Sequence, residues 1–254
     1  MKKDDLSAML TKREELNKTF DITFFIPALN EERSIIKTLG KIIEVMKKIN
    51  LTFELIVIND GSTDNTRILV ENYMMHVTIP IRLVNNKVRR GLGHNYVSAA
   101  FLGLGEYYMM ICGDNAETEE SIINIISEKG KADIVIPYFG DWDARNRIRK
   151  TISHVFTFII NVISGNKIYY YNGTVLHLRD NVQRCHPMAT GFAYQAELLD
   201  LLIADHKSYV EIKVANNDRD IGYSRAFYLQ NFLSVAHSCL QIILRRIRRI
   251  IWPV

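Results

Sequence analysis

The sequence predicts an α/β fold, a mostly parallel sheet with helices on both faces, and three observations support this prediction. Short apolar runs alternate with segments of helical apolar spacing along residues 21–137. The run LTFELIVI at 51–58 is rich in the β-branched residues that strands favour. Polar clusters follow three of the runs, and ligands of such sheets bind outside the carboxyl ends of the strands.

Each element of the first half has its own signal. The first apolar run stops at Pro27, and Gly61 to Asp64 supplies turn and N-cap residues before a helix. The predicted strands cover residues 22–26, 51–58, 79–85, 106–112 and 133–137. The predicted helices cover residues 30–50, a segment after 64, 91–104 and 121–129.

The second half departs from this regular alternation. It is predicted to contain helices at 145–164, 190–205 and 223–251, with strands within 168–178 and at 209–215. Residues 1–20 form a polar lead-in with helical potential. No linker divides the chain, so we expect one domain over 1–227, made of the halves 21–137 and 138–227, followed by a basic amphipathic helix at 228–254.

The composition of the 254-residue chain, 48% apolar and 24% charged, is typical of a soluble globular protein. Its net charge of +4 is too small to indicate nucleic acid, so no such partner is expected. Three cysteines, an odd number, argue against a disulfide framework and favour a reducing compartment. The highly charged N-terminus argues against a signal peptide, and no apolar run is long enough for a transmembrane helix, so a cytoplasmic location is expected.

Two carboxylates stand directly after predicted strands and are candidates to bind a ligand. Asp60 is placed to accept hydrogen bonds from a base or a ribose, and Gly61 lets a ligand approach the backbone closely. Asp114 is placed to hold a divalent cation that neutralises a diphosphate, with Asn115 or Glu117 adding an oxygen ligand. Spacing alone equally allows both aspartates to cap the helices that follow them.

Six motifs in order, spread over about residues 21–227, resemble those of the family 2 glycosyltransferases with the A-type fold. They are PALNEE (27–32), VINDGSTDNT (57–66), RRGLGHNYVSA (89–99), ICGDNAETEE (111–120), GFAYQAELL (191–199) and VEIKVANNDRDIGYSRAF (210–227). The last two, with GLG at 91–93, resemble the polyprenyl-phosphate sugar synthases, the group that includes dolichyl-phosphate mannose synthase.

The resemblance implies a role for each matching residue on the donor side. The nucleotide pocket would be lined by Pro27, Leu29, Asn30 and Glu32. Asp60 would contact the nucleobase, and Arg90 and Gly91 would lie near the ribose or diphosphate. Asp114 would be the last carboxylate of the family's DxD signature, which binds Mg or Mn. The signature here reads Cys112-Gly113-Asp114, so its first carboxylate is missing, and Asn115 and Glu117 are the candidates to compensate.

On the acceptor side, Arg149 and Ser153 match positions near an acceptor phosphate, and Arg219 and Arg225 match a basic pair in the synthases. Arg225 replaces the usual lysine, which keeps the charge and changes the geometry. The implied reaction is an inverting transfer of a hexose from GDP-mannose or a UDP-hexose to a polyprenyl phosphate. Such a phosphate, with a second pKa near ~6, is already an anion at neutral pH, so it needs positioning cations and no general base.

Two alternatives stay open at this point. A saccharide hydroxyl as acceptor would require a carboxylate base, for which Asp218 and Glu197 are the candidates. A non-catalytic module that binds a nucleotide-sugar is the other alternative, and the missing first carboxylate of the metal signature motivates it.

The C-terminal segment predicts peripheral contact with the inner face of the membrane. Apolar residues recur at helical spacing along 232–250, and Trp252 follows a cluster of Arg245, Arg246, Arg248 and Arg249. Each basic residue near an anionic leaflet contributes ~1 kcal/mol. The alternative is a helix packed on the core or on a second subunit of a homo-oligomer.

Overall fold

The computed structural model describes residues 19–143, 147–185, 187, 189, 191, 193–216 and 229–251. Within them, seven strands form one sheet in the order β3-β2-β1-β4-β6-β5-β7. The strands are β1 Phe20–Ala28, β2 Phe53–Asn59, β3 Ile81–Asn85, β4 Gly105–Met110, β5 Ile134–Asp143, β6 Leu176–Leu178 and β7 Tyr209–Asn216. All pairings are parallel except those of β6, which runs antiparallel to β4 and β5. The predicted α/β fold with a mostly parallel sheet is confirmed.

Eight helices accompany the sheet in this part of the chain. They are α1 Ile35–Ile49, α2 Thr66–Met74, α3 Leu92–Leu102, α4 Glu119–Ser127, α5 Arg147–Ser164, α6 Arg179–Arg184, α7 Tyr194–Ala204 and α8 Leu229–Ile251. None of the described helices is both long and apolar enough to cross a membrane. The lead-in at 1–18 lies outside the described residues.

The core lies on both faces of the sheet because neighbouring side chains of a strand point to opposite sides. In β1, Phe24 packs in one buried cluster with Leu39 of α1 and with residues of α4. The next residue, Phe25, packs in the other cluster with Tyr96 of α3 and Leu198 of α7. With both faces covered, the carboxyl edge of the strands is left to bind a ligand.

Three elements differ most from the sequence prediction, and one of them is β5, which was expected at 133–137 and extends to Asp143. The helix expected at 30–50 begins at Ile35, because Asn30 adopts a left-handed φ of 57° and the amides of Ser34 and Ile35 both donate to Glu31 O. The strand expected within 168–178 is reduced to Leu176–Leu178, and the short helix α6, which the sequence pattern did not predict, follows it.

One face of α8 packs on the core, and three of the four arginines of this helix donate hydrogen bonds to other parts of the protein. Arg245 donates to the fully buried Glu197 at 2.8 Å, and Arg249 donates to the buried Asp200 at 3.2 Å. Arg246 donates to the last carbonyls of α5, those of residues 162 and 163, at 2.8 and 2.9 Å. The alternative of a helix packed on the core therefore describes this face, and membrane contact by its other face stays a prediction.

Replacing Arg245 by Ala should lower the free energy of unfolding by about 3 kcal/mol, because Glu197 would be left as a buried charge without its cation. The matched control is Arg248→Ala, since Arg248 is exposed and makes no ion pair among the described residues. Its effect should stay within about 0.5 kcal/mol. Urea denaturation of both variants measures the difference, and equal effects would show that the Arg245 ion pair does not hold α8 in place.

Candidate active site

Three polar loops meet where β1, β2 and β4 end. The amide of Asp60, after β2, donates to Ala28 O at the end of β1 (2.9 Å), and the amide of Gly113, after β4, donates to Pro27 O (3.3 Å). Pro27 and Leu29, both predicted to line a nucleotide pocket, are half-buried at this end of β1. The structure thus brings together the three clusters that the sequence placed after separate strands.

Asn30 and Glu32 join the loop after β1 to the loop after β2. Asn30 Oδ1 accepts from Thr63 N at 2.8 Å, and Asn30 N donates to Ser62 Oγ at 2.9 Å. Glu32 Oε2 accepts from both Asn65 N and Asn65 Nδ2 at 3.1 Å. These two predicted pocket residues therefore hold the loop after β1 and the loop after β2 in a fixed arrangement.

The carboxylate of Asp60 holds the loop that leads into α3. Its Oδ1 accepts from Asn86 Nδ2 and Arg90 N, each at 2.8 Å, and its Oδ2 accepts from Gly91 N at 3.0 Å. Burial acts to raise the pKa of Asp60, but hydrogen bonds from Asn95, Arg90, Asn86 and Gly91 hold it below the usual range. Asp60 is therefore an ionised anchor for the backbone at Arg90 and Gly91, two residues predicted to face the ribose or diphosphate.

Neither of the two predicted ligand-binding aspartates caps a helix. The first amide of α2 donates to Asp64 Oδ1 at 3.0 Å, and α4 is capped by Thr118, whose Oγ1 accepts from Ser121 N at 3.1 Å. Asp60 and Asp114 are both buried before those caps. The capping alternative is thereby removed for both.

The buried Asp114 and the half-buried Glu117 form an acidic pair after β4. Asp114 Oδ1 accepts from Ala116 N at 3.3 Å, while Glu117 Oε1 accepts from Thr174 Oγ1 at 2.9 Å. Glu117 Oε2 is buried and has no hydrogen-bond partner among the described residues. Burial first, and then the nearby charge of Asp114, raise the pKa of Glu117 to about 7.

This pair fits a hard divalent cation such as Mg or Mn. Two carboxylates, one of which has a buried oxygen without a hydrogen-bond partner among the described residues, are donors that such cations prefer. Within the described residues, no group of three or more His, Cys, Asp or Glu side chains could hold a metal ion. A cation at Asp114 and Glu117 would therefore need further oxygen ligands from a diphosphate or from water. Asn115, the third predicted ligand, adopts a left-handed φ of 60° between them.

The predicted acceptor residues are only partly within the described chain. Arg149 and Ser153 lie one turn apart near the start of α5, which follows the carboxyl end of β5, and both are half-buried. Arg219 and Arg225, with the candidate base Asp218, lie outside the described residues. Glu197, the other candidate base, is fully buried and accepts from Arg245 and from the amide of residue 189, so it cannot approach an acceptor hydroxyl.

Sequence reasoning missed several residues that shape this site. Asn86 holds Asp60, and it directly follows Asn85, the last residue of β3, so a polar residue after a strand is the same signal that identified Asp60. Lys41 of α1 donates to the carbonyl oxygens of residues 115 and 117 at 3.3 and 2.6 Å. Thr174 contacts Glu117 across 57 residues of sequence, and no local signal marks that contact.

Asp60→Asn should lower the free energy of unfolding by about 2 kcal/mol, because an amide replaces one of the two acceptor oxygens that hold the Asn86–Gly91 loop. Hydrogen exchange at the amides of Arg90 and Gly91 should accelerate at the same time. Asp205→Asn makes the same chemical change at an exposed residue and should stay within about 0.5 kcal/mol. Unchanged exchange at both amides would show that Asp60 does not anchor the loop.

Comparisons with known proteins identify a family and several relatives. A model of the family described as Glycosyl transferase family 2 matches residues 23–192. The chain is 26% identical over 230 residues to an undecaprenyl-phosphate 4-deoxy-4-formamido-L-arabinose transferase of Proteus mirabilis (strain HI4320), covering 85% of this chain and 65% of that protein. It is 33% identical over 99 residues to a dolichyl-phosphate beta-glucosyltransferase of Trichomonas vaginalis, covering 37% of this chain and 29% of that protein.

The chain thus spans less than two thirds of the length of these curated relatives. Among solved structures, it resembles glucosyl-3-phosphoglycerate synthase from Mycobacterium tuberculosis in complex with Mn2+, uridine-diphosphate and phosphoglyceric acid, with a TM-score of 0.65. The two are 18% identical, and the match covers 90% of this chain and 82% of that one. At that identity, the likeness concerns the fold alone.

Proposed function

Because the chain belongs to glycosyl transferase family 2, we propose that it transfers a hexose from a nucleotide-diphosphate sugar to a polyprenyl phosphate at the inner face of the cytoplasmic membrane. The observation that carries this proposal is the acidic pair Asp114–Glu117 at the end of β4, at the same edge of the sheet as Asp60 and the loop that it anchors. An acidic pair at this edge suits a site for a divalent cation, and such a cation would neutralise a diphosphate leaving group. The relatives named above act on undecaprenyl and dolichyl phosphates, which supports a lipid phosphate as acceptor.

We assign residues 21–137 to the donor and 138–227 to the acceptor. On the donor side, Asn30 and Glu32 hold together the two loops that form part of the nucleotide pocket. Asp60 fixes the backbone at Arg90 and Gly91, which would lie beside the diphosphate. A divalent cation held by Asp114 and Glu117 would supply positive charge to the leaving diphosphate. The missing first carboxylate at Cys112 is then compensated by Glu117.

In the transfer, a phosphate oxygen of the acceptor forms a bond to the anomeric carbon while the bond from that carbon to the diphosphate breaks. The nucleoside diphosphate leaves, and no proton has to be removed from an acceptor that is already an anion. Arg149 and Ser153 would position the acceptor phosphate through charge-assisted and hydroxyl hydrogen bonds, together with Arg219 and Arg225. The burial and pairing of Glu197 remove one of the two candidate bases of the hydroxyl-acceptor alternative, and the other, Asp218, lies outside the described residues.

The direct test is transfer from a panel of nucleotide-sugars to a polyprenyl phosphate in detergent, with Mg or Mn. We expect lipid-linked hexose from one donor, and a thermal shift with the matching nucleoside diphosphate, because a ligand of the native state raises its apparent stability.

Arg149→Gln should raise the KM for the lipid phosphate about tenfold and leave the donor KM unchanged. Arg147→Gln, an exposed neighbour, is the control.

The outcomes separate the remaining alternatives. A thermal shift without any transfer would favour a non-catalytic module that binds a nucleotide-sugar. Transfer to a saccharide in preference to the lipid phosphate, with Arg149→Gln unaffected, would favour the hydroxyl acceptor. Either result contradicts the proposal.

A further inference from the structure

The cation loop, which runs from Gly113 to Glu117 after β4, is held by hydrogen bonds to its main-chain carbonyl oxygens. Thr38 Oγ1 donates to Gly113 O at 3.1 Å. Lys41 Nζ donates to Asn115 O at 3.3 Å and to Glu117 O at 2.6 Å. Thr38 and Lys41 are three residues apart in α1, so they lie on the same face of that helix. Three alternate carbonyls of the loop thus accept from one face of α1.

The ammonium of Lys41 is partly removed from water. Lys41 is half-buried, whereas Lys47 and Lys48 of the same helix expose 63% and 55% of their side chains. A charged group that loses hydration needs hydrogen bonds within the protein to replace it. Bonds from a charged donor are shorter and stronger than neutral ones, and the bond to Glu117 O is short. Lys41 therefore opposes any change in the cation loop that would break these bonds.

The backbone of the cation loop adopts a conformation that needs such support. Asn115 has a left-handed φ of 60°, a region that residues other than glycine populate sparsely and keep only where their surroundings enforce it. Its carbonyl is one of the two that Lys41 holds. Asn115 also stands between Asp114 and Glu117 in the chain, so its backbone angles affect how the two carboxylates lie relative to each other.

The two bonds of Lys41 use no carboxylate oxygen of the loop. Both go to main-chain carbonyls, and Glu117 Oε2 is buried with no hydrogen-bond partner in the part of the chain that the structure describes. Glu117 Oε1 accepts from Thr174 Oγ1 at 2.9 Å, so a second residue holds its side chain while Lys41 holds its main chain. Outer groups that orient the ligands in this way are a regular part of metal sites.

We propose that Lys41 is a positioning residue for the divalent cation: its bonds to the cation loop keep Asp114 and Glu117 in an arrangement in which both carboxylates bind one Mg or Mn ion. The inference rests on the proposed function, in which such a cation neutralises the leaving diphosphate. Lys41 acts through the loop and not on the substrate, so its loss should lower cation affinity and kcat and leave the KM for the acceptor unchanged. Thr38 supports the same loop at Gly113.

The test is the affinity of the full chain for Mn²⁺, added alone and in the presence of UDP or GDP, and followed by the electron paramagnetic resonance signal of the free ion. Lys41→Met keeps a long unbranched side chain and removes its charge and its donors. This variant should bind Mn²⁺ about tenfold or more weakly than wild type, the usual loss when a group that orients a metal ligand is removed. Hydrogen exchange of the cation loop, measured without metal, should accelerate at the same time.

Two further variants give the rescue and the control. Lys41→Arg retains a charged donor and should recover the affinity for Mn²⁺ to within about threefold of wild type. Lys47→Met makes the same change in the same helix, at an exposed lysine paired with Glu44, and should bind Mn²⁺ like wild type. Circular dichroism melts verify that each variant is folded at the temperature of the titration. If Lys41→Met does not fold, Thr38→Val removes the bond to Gly113 O at nearly constant shape and should weaken Mn²⁺ binding by about threefold or more.

Three outcomes would overturn the inference. The first is a Lys41→Met variant that melts earlier but binds Mn²⁺ and exchanges its loop amides like wild type, since the lysine would then stabilise the fold alone. The second is an equal loss of Mn²⁺ affinity in Lys47→Met. The third is no Mn²⁺ binding by wild type under any of these conditions.

These measurements need neither a lipid nor a transferred hexose, so the proposed function is tested separately by the transfer assay. If Lys41→Met loses Mn²⁺ affinity while wild type transfers no hexose to any acceptor, the proposed function fails and the role of Lys41 stands. If wild type transfers hexose and Lys41→Met keeps the wild-type affinity for Mn²⁺, the proposed function stands and the role of Lys41 fails.

Discussion

Asp114→Asn should lower kcat/KM for hexose transfer by about 10³-fold. The substitution keeps the size of the side chain and an oxygen that can accept from Ala116 N, so the loop after β4 should keep its shape. It removes the negative charge that would hold a cation at the leaving diphosphate, and losing one preorganised electrostatic group of this kind costs about 10²–10³-fold. Steady-state kinetics at saturating Mn measures the loss.

A second test variant and a matched control for Asp114→Asn lie in the same segment. Glu117→Gln removes the other carboxylate of the pair and should weaken the apparent affinity for Mn at least about tenfold. Glu120→Gln, at an exposed position of α4, should leave the affinity for Mn and the rate unchanged. Full activity of Asp114→Asn at every Mn concentration would show that the acidic pair does not serve the leaving group.

The fold was predictable because its signals are local. β2 is buried along all seven residues and its sequence is mostly apolar, so the sequence of this strand alone indicates burial on both faces. Asp60 and Asp114 were predictable for a related reason, since a carboxylate directly after a buried strand must lie at the edge of the sheet. The strand-end position gave their location, and the structure adds what each oxygen contacts.

The parts that could not be predicted depend on contacts between distant residues. The pairing of Arg245 with Glu197 spans 48 residues, so the sequence could not distinguish an arginine that stabilises the core from one that faces a lipid. Glu197 was for the same reason an open candidate for a base, although it is fully buried. The left-handed conformation of Asn30, which delays α1 to Ile35, depends on its bonds to Ser62 and to the amide of residue 63.

The sequence also could not show which face of α5 is buried and which is exposed. The helix is apolar around much of its circumference, so periodicity predicts a helix without saying which side is covered. Only the packing of Thr157 and Ile160 against the core identifies the stripe from Ile148 to Val162 as the exposed one. The apolar surface along α5 is therefore a result of tertiary structure.

Gly93→Ala should lower the free energy of unfolding by about 3 kcal/mol or more. A methyl group at Gly93 of α3 would lie 2.1 Å from the carbonyl oxygen of Ala189 and 2.8 Å from Cβ of Tyr194. Backbone and Cβ atoms cannot yield as the end of a flexible side chain can, so the segment before α7 would have to move away from α3. Urea denaturation monitored by circular dichroism measures the effect.

Gly40→Ala in α1 is the matched control, since it makes the same change within a helix where the nearest atom, Tyr73 Oη, lies 3.8 Å away. There the substitution should stabilise the protein by about 0.5–1 kcal/mol, because alanine loses less conformational entropy in a helix than glycine does. Opposite signs for the two variants would establish that Gly93 serves close packing of α3 against the acceptor half. A stabilising effect at both positions would contradict that contact.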